Sequence, residues 1–335
     1  MMPVGTGAGG GAEHILHLLD RKLSEHGIRS LVIAAEGSQL EGELIPSPAA
    51  QGEITDSVRA KAQKAHQERI DSALSENHID LIHFHGLDLD AYRVPADRVR
   101  QLGTLHLPID WYPNDLFGRT DILMNCVSES QADSTDVSRR LPVISNGIDL
   151  ENLHPSRSKE SYLIWLGRIC PEKGAHVALR VAHRLELPMI VAGPVHPFDS
   201  HLKYFAEEVQ PLLDEKRVYI GPVDAIQKRD SLANARCLLV PSLVAETSSL
   251  VSMEAIGSGT PVVAFRAGAL PEIVDHGVTG FIADSEDAMV DAVLRSDEIS
   301  PETCRSVAEQ RFAASRMVSE YLCLYSRVMN GCHAG

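Results

Sequence analysis

Cysteine is sparse and unpatterned in this chain. Its six cysteines (Cys126, Cys170, Cys237, Cys304, Cys323 and Cys332) include no C-x-x-C pair. That argues against a disulfide frame or a zinc site and for the reduced thiols of a cytoplasmic protein. Long hydrophobic runs are missing too: none approaches the ~18 to 20 residues that span a bilayer. The N-terminus has no basic segment followed by an apolar core, so no secretory leader is expected. Cations are in deficit, with Lys+Arg 31 against Asp+Glu 46 and a net charge of -15. This excludes a general nucleic-acid binder, which would present a basic face. A small anionic substrate stays open, because a handful of local cations overrides the global balance. No internal repeat or low-complexity tract is present, and no basic amphipathic helix indicates membrane-surface association.

What is there is an ordinary globular composition, 44% hydrophobic and 23% charged, over 335 residues. That length fits two domains of roughly 150 residues each. Helical and strand patterns alternate throughout. Residues 13–26 carry Ile15, Leu16, Leu18, Leu19 and Leu23 at helical spacing, and SLVIAAE (Ser30 to Glu36) follows as a buried strand. TDSVRAKAQKAHQERIDSALSE (Thr55 to Glu76) predicts a helix with polar faces. DLIHFHG, LGTLHLP, ILMNCVS and LPVISNGID then read as short strands. Around Glu151 to Ser161 the apolar pattern lapses, which places a domain boundary there. The rhythm restarts with SYLIWLG as a strand, a helix over 174–186, PMIVAG as a strand and a helix over 199–213. RVYIG, CLLVPS and TPVVAF supply three more strands, with a helix between the last two. This is the pattern of an α/β layer fold with parallel sheets. Two such halves joined by a short link would leave a cleft, with ligands beyond the carboxyl ends of the strands.

GTGAGG (Gly5 to Gly10) satisfies G-x-G-x-x-G, and Glu36 lies at about the right distance to hold a ribose diol. The dinucleotide fingerprint, however, needs a strand before its loop, and only Met1–Val4 precede this one. Two other readings remain: a flexible, perhaps truncated terminus, and a Gly9–Gly11 turn that lets backbone approach an anion at the start of a helix beginning near Ala12. Free N–H groups and the helix dipole favour phosphate there. The expectation is that the assigned start omits an N-terminal β-strand.

Two stretches of the second half carry chemistry. WLGRICPEKG (Trp165 to Gly174) sets Arg168 and Lys173 just past a buried strand. Two cations at a strand–loop–helix tip suit a diphosphate, which Arg binds bidentately and Lys as a point charge. The segment Pro241 to Phe281 contains Glu246 and Glu254. Thr247, Ser248 and Ser249 are good N-cap residues, so a helix should begin close to Ser248. Glu246 would then stand free in the loop at the strand's end. Glu254 would lie inside the helix, its side chain tilted towards the N-terminus. One helix start could offer Glu246 to a sugar, backbone N–H groups near Ser249, Leu250 and Val251 to phosphates, and Glu254 to a ribose.

These pieces together resemble family 4 glycosyltransferases of the GT-B fold, also called group 1 glycosyltransferases. The resemblance rests on GGGAEHILHLLDRKLSEHG, ISNGIDLENLHP, WLGRICPEKGAHVAL, PMIVAGP, VYIGPV, the E-x7-E segment, GTPVVAFRAGALPEIVDHGVTGFI and RFAASRMVSEYLCLYSRVM. It implies two Rossmann-like domains facing across a cleft: residues 1–150 on the acceptor side, 151–311 on the donor side, and a helix at 312–330 crossing back to the first. It further implies a nucleoside-diphosphate sugar as donor, retention of anomeric configuration, and no metal or other cofactor. By the same resemblance Arg168 and Lys173 look like the diphosphate clamp, with Gly10, Gly11, Ser249 and Leu250 as further phosphate contacts. Glu254 looks like the ribose ligand and Glu246 like the residue holding the transferred sugar. His106, after a first-domain strand, sits where the family often has a histidine near the reacting centre; His83 and His85 are rivals for that place. The chain departs from the family in having ETSSL where many relatives have E-x-F-G-L, which bears on donor choice. Its acceptor loops (Asp88–Val94 and Ile109–Leu116, with Trp111 and Tyr112) name no acceptor, so a glycan, a lipid-linked or a small-molecule acceptor all fit. A nucleotide-sugar 2-epimerase, a silent nucleotide-sugar binder and a dehydrogenase are the competing readings.

Overall fold

A computed structural model describes residues 3–5, 10–48, 55–95, 97–135, 140–156 and 158–331. Gly7, Gly9 and Cys332 therefore lie outside the described residues. The chain divides into two compact units, one of Met1–Gly147 with Ala314–Gly335 and one of Ile148–Ala313.

The first unit runs α1 (Gly11–Glu25), β1 (Leu31–Ala35), β2 (Glu43–Ser47), α2 (Asp56–Glu76), β3 (Leu81–Phe84), β4 (Arg100–Leu105), β5 (Leu123–Cys126) and α3 (Glu129–Asp133). Thr55 caps α2, its hydroxyl accepting from Val58 N–H at 3.3 Å, which fixes the start of a helix too polar to be placed by periodicity. The strands are parallel but fall into two sheets, β1–β2 and β3–β4–β5. β2 (ELIPS) has no alternating pattern and carries Pro46. Proline lacks the ladder N–H and is tolerated at a sheet edge, which is where β2 lies. The expected strand LPVISNGID is reduced to two isolated bridges, Cys126 to Val143 and Ile148 to Ala313. Pro142 can accept from Cys126 N–H at 2.9 Å but cannot donate, so the ladder goes no further than Ile144.

The second unit begins with β6 (Leu163–Leu166), α4 (Ala175–Arg184), β7 (Met189–Ala192), α5 (Asp199–Tyr204), β8 (Arg217–Tyr219) and α6 (Ala225–Asn234). It continues with β9 (Cys237–Val240), α7 (Leu250–Gly257), β10 (Val262–Phe265), α8 (Leu270–Ile273), β11 (Gly280–Ala283), α9 (Glu286–Leu294) and α10 (Pro301–Arg311). Its single parallel sheet has the order β11-β10-β9-β6-β7-β8. β6, β9 and β10 are unbroken apolar runs, buried or nearly so throughout, as expected of strands covered on both faces. The helix expected over 199–213 stays α-helical only to Tyr204. It then widens over Phe205–Val209 and ends in a tight turn at Gln210–Leu212, where Pro211 cannot donate.

The last helix, α11 (Ala314–Met329), belongs to the first unit and packs against α1 and β4. Tyr321 and Tyr325 extend its side chains into that unit, Tyr321 OH meeting Thr104 Oγ1 at 3.1 Å and Tyr325 OH meeting His83 Nδ1 at 2.8 Å.

Candidate active site

In the second unit β6 lies beside β9, with Leu163 opposite Cys237 and Ile164 opposite Leu238. The sheet continues through β7 and β8 on one side and through β10 and β11 on the other. β6 and β9 thus flank the point where the strand order reverses, the position at which open α/β sheets bind ligands beyond their carboxyl ends. The loops leaving that point are Gly167–Gly174 and Pro241–Ser249, and they contain Arg168, Lys173 and Glu246.

The two loops are pressed together. Leu243 N–H donates to the Glu172 carbonyl at 2.8 Å, and Ser242 Oγ to the same oxygen at 3.3 Å. Gly174 ends the first loop at φ +67°, and a Cβ there would collide with the Pro241 carbonyl. Only glycine meets both demands.

Across this junction Lys173 Nζ donates to both oxygens of Glu246, at 2.6 and 2.7 Å. Ser242 Oγ donates to Glu246 Oε1 at 2.6 Å. Rather than standing free, the Glu246 carboxylate is held by a cation and a hydroxyl and is only 9% exposed. Its backbone is fixed from the loop after β10, where Ala269 N–H donates to the Glu246 carbonyl at 2.8 Å. Gly268, at φ +56°, lets that loop come so close that any Cβ would strike the Glu246 backbone. Arg168 is exposed and makes no ion pair or side-chain hydrogen bond among the described residues. One cation of the expected pair is therefore committed to a carboxylate and the other is available.

α7 begins at Leu250 with Ser249 as its N-cap. The Ser249 hydroxyl does not cap the helix backbone; it bonds Ser252 Oγ at 2.7 Å. Ser248 Oγ is buried with no hydrogen-bond partner, an unusual condition for a buried hydroxyl and one that a bound acceptor would relieve. Polar N–H groups at a helix start and an unpartnered hydroxyl are chemistry suited to an anion. Inside α7, Glu254 is buried and Lys228 Nζ of α6 donates to its Oε1 at 2.6 Å. Lys228 and Ser242 were not singled out by sequence, because nothing in the spacing links α6 to α7 or Ser242 to Glu246; Ser248 was named only as a capping residue.

Cys170, Glu172 and His201 bring three metal-capable atoms within 4.8 Å of one another, the one such group among the described residues. Burial pushes the Cys170 thiol up to about 12. A cation bound there would have to displace the thiol proton.

In the first unit, His85 and His106 follow the carboxyl ends of the neighbouring strands β3 and β4, and His85 Nδ1 meets His106 Nε2 at 2.9 Å. His83 lies further back, between Tyr325 OH and Thr104 Oγ1 at 2.8 and 2.7 Å. Burial lowers His106 to about 4 and His83 to about 3, the latter with repulsion from His106 added, and holds His85 well below its usual range. All three are neutral imidazoles at pH 7. Of the expected acceptor-loop aromatics, Trp111 is 62% exposed whereas Tyr112 is buried, its hydroxyl accepting from His106 N–H at 3.1 Å. α1 starts at Gly11 with Gly10 as N-cap, and the Glu13 carboxylate lies against the Gly10 Cα. An anion approaching this turn would first have to displace Glu13.

Residues 160–296 match the family described as Glycosyl transferases group 1. That stretch of the second unit is thus similar to a group 1 glycosyl transferase domain. Among curated relatives, the D-inositol 3-phosphate glycosyltransferase of Mycobacterium sp. (strain JLS) is 30% identical over 201 residues, 52% of this chain and 43% of that protein. The chain thus spans less than half the length of that relative. Among solved structures, sucrose-phosphate synthase from Thermosynechococcus elongatus superposes with a TM-score of 0.79 at 17% identity, covering 98% of this chain and 96% of that one. HepE of Anabaena, solved in complex with UDP and glucose, gives 0.72 at 17% identity over 97% and 100% of the two chains. These likenesses establish the GT-B glycosyltransferase fold. The matched stretch, residues 160–296, contains Arg168, Lys173, Glu246 and Glu254. Among the described residues no helix is long and apolar enough to cross a membrane.

Proposed function

We propose that this protein is a metal-independent, retaining glycosyltransferase that moves a sugar from a nucleoside-diphosphate sugar to an acceptor hydroxyl. The observation that carries this reading is the Lys173–Glu246 pair at the β6/β9 strand reversal, with Arg168 on the same loop making no ion pair among the described residues and the start of α7 uncapped by its own serine. In the reaction the bond between the anomeric carbon and the diphosphate oxygen breaks, and its electron pair stays on the leaving phosphate. The acceptor oxygen bonds the same face of the anomeric carbon and passes its proton to that phosphate. Charge therefore accumulates on the diphosphate, which Arg168, Lys173 and the N–H groups at Ser249 and Leu250 would stabilise. Lys173 has three N–H donors and can keep Glu246 while turning one towards a phosphate. Glu246, so oriented, would accept from hydroxyls of the transferred sugar, and Glu254 from the ribose. HepE, a structural neighbour, is solved with UDP and glucose, which makes a uridine nucleotide the first donor to test here. His106 and the Gly10–Gly11 turn enter as first-unit residues assigned by resemblance.

The test is thermal stabilisation by UDP, GDP, ADP and NAD in the wild type and in Glu254→Ala. A ligand at a hundredfold its Kd should add about 2.7 kcal/mol of stability. Stabilisation by one nucleoside diphosphate, lost in the variant and unaffected by EDTA, supports the reading. Stabilisation by NAD alone would overturn it, and a trapped glycosyl-enzyme adduct would overturn the same-face mechanism.

A further inference from the structure

One cluster of metal-capable side chains in the second unit lies outside the groups assigned to sugar transfer. Cys170 and Glu172 stand on the loop after β6, and His201 stands on α5. The Cys170 Sγ, a Glu172 carboxylate oxygen and a ring nitrogen of His201 all lie within 4.8 Å of one another. Tetrahedral ligation at ~2.0–2.3 Å from a zinc ion sets such atoms about 3.5 Å apart. A turn of the Glu172 and His201 side chains, both half-buried, closes the difference.

The backbones beneath these side chains are fixed. Cys170 precedes the tight turn Pro171–Lys173, and its carbonyl accepts from Lys173 N–H at 3.1 Å. The Glu172 carbonyl accepts from Leu243 N–H at 2.8 Å. Ile169 N–H donates to the Pro194 carbonyl at 2.9 Å, which ties this loop to the one leading from β7 into α5. His201 N–H donates to the Phe198 carbonyl at 2.9 Å, and its ring packs edge-on against Phe198 with 5.2 Å between centroids. Two features point to a ligand. His201 Nδ1 is shielded from solvent and has no hydrogen-bond partner, a costly condition that a metal bond through that nitrogen removes. The buried Cys170 thiol donates to the Arg168 carbonyl at 3.4 Å, a weak bond for a metal to replace.

We propose that Cys170, Glu172 and His201 form a site for a thiophilic divalent cation of the zinc class, which pins the Arg168–Lys173 loop to α5. Thiolate, imidazole and carboxylate are ligands of zinc, whereas magnesium and calcium take oxygen ligands and find a single carboxylate here. Cys170 binds as the thiolate, its proton passing to solvent as the metal–sulfur bond forms. The thiolate and the carboxylate together balance the charge of the ion. Three protein ligands leave the fourth position of the tetrahedron to water. The sugar transfer proposed above does not run through this ion. Two of its ligands stand between Arg168 and Lys173 in the chain, so occupancy holds that loop in one arrangement.

The test uses the full chain, stripped with EDTA and dialysed, with no nucleotide present, so its outcome is independent of the transferase reading. Zn²⁺ should bind one ion per chain in titration calorimetry and raise Tm, and Mg²⁺ at the same concentration should do neither. Co²⁺ in its place should give the visible bands of a tetrahedral ion and the near-ultraviolet band of a thiolate ligand. Losing a partner outside the ligand shell already costs about 10- to 100-fold in metal affinity, so Cys170→Ser and His201→Gln should each weaken Zn²⁺ binding about a hundredfold or more. Cys170→Ser should also abolish the thiolate band, whereas Cys323→Ser, which removes the exposed thiol of α11, should change nothing. His201→Gln alters a half-buried side chain, so it keeps the proposal testable where the Cys170 variant fails to fold. Absence of Zn²⁺ binding, an octahedral Co²⁺ spectrum without the thiolate band, or binding that both site variants retain would overturn the proposal.

Discussion

Lys173 and Glu246 stand on loops leaving two adjacent parallel strands, yet the ammonium reaches both carboxylate oxygens, at 2.6 and 2.7 Å. Breaking one partner has two separable effects. Lys173→Met leaves the nearly buried carboxylate without its cation, which costs about 1–3 kcal/mol and should appear as a lower Tm. Glu246→Gln keeps the size and an acceptor oxygen, so its Tm should change little while turnover falls. Equal losses of stability in both variants would mean that the pair is only a structural clamp.

Arg168 provides the contrasting case. It is exposed and makes no ion pair or side-chain hydrogen bond among the described residues, so Arg168→Ala should leave stability within about 0.5 kcal/mol of the wild type. Transfer should nonetheless drop by about 10²-fold, the usual effect of removing one group that stabilises charge in the transition state. Urea unfolding and kcat/KM on the same preparation separate these outcomes.

The three histidines make stability depend on acid. Burial holds His106 at about 4 and His83 at about 3, against an ordinary 6.5. Between those values the unfolded chain binds protons that the folded chain does not. Stability is therefore fully present above pH 6.5 and is lost as pH falls towards about 4, by up to roughly 1.4 kcal/mol per pH unit for each histidine. His83→Asn should flatten that slope in a denaturation series from pH 7 to pH 4; an unchanged slope would show that the imidazoles are protonated in the folded state.

Gly268→Ala tests whether the loop after β10 supports the site. Its φ of +56° and the collision of a Cβ with the Glu246 backbone predict a loss of about 1–3 kcal/mol. Displacement of Glu246 should raise the KM for donor as well. Gly37, at φ +86° with open space around it, is the control: Gly37→Ala should cost about 1 kcal/mol and leave KM alone.

Much of the second unit was legible because its strands are unbroken apolar runs followed by loops with chemically distinctive residues. Arg168, Lys173, Glu246 and the start of α7 could be placed from sequence to within a residue or two. The partnerships could not be. Lys228 meets Glu254 across 26 positions, and Lys173 meets Glu246 across 73; sheet topology, not local pattern, brings them together. β2 and β11 were missed for local reasons. One contains Pro46 at a sheet edge, and the other is four residues long behind a glycine turn. The His85–His106 bond was likewise invisible, because it depends on β3 and β4 being neighbours.

The placement of α11 has a consequence for synthesis on the ribosome. The second unit is one continuous stretch, Ile148–Ala313, whereas the first needs Ala314 onward to be whole. Until Tyr325 emerges from the exit tunnel, His83 Nδ1 lacks the hydroxyl that it bonds in the folded unit. The domain whose translation starts first is thus the last to mature, the reverse of the usual vectorial order. A nascent chain stalled at Ala313 would present a protease-resistant second unit behind an immature first one.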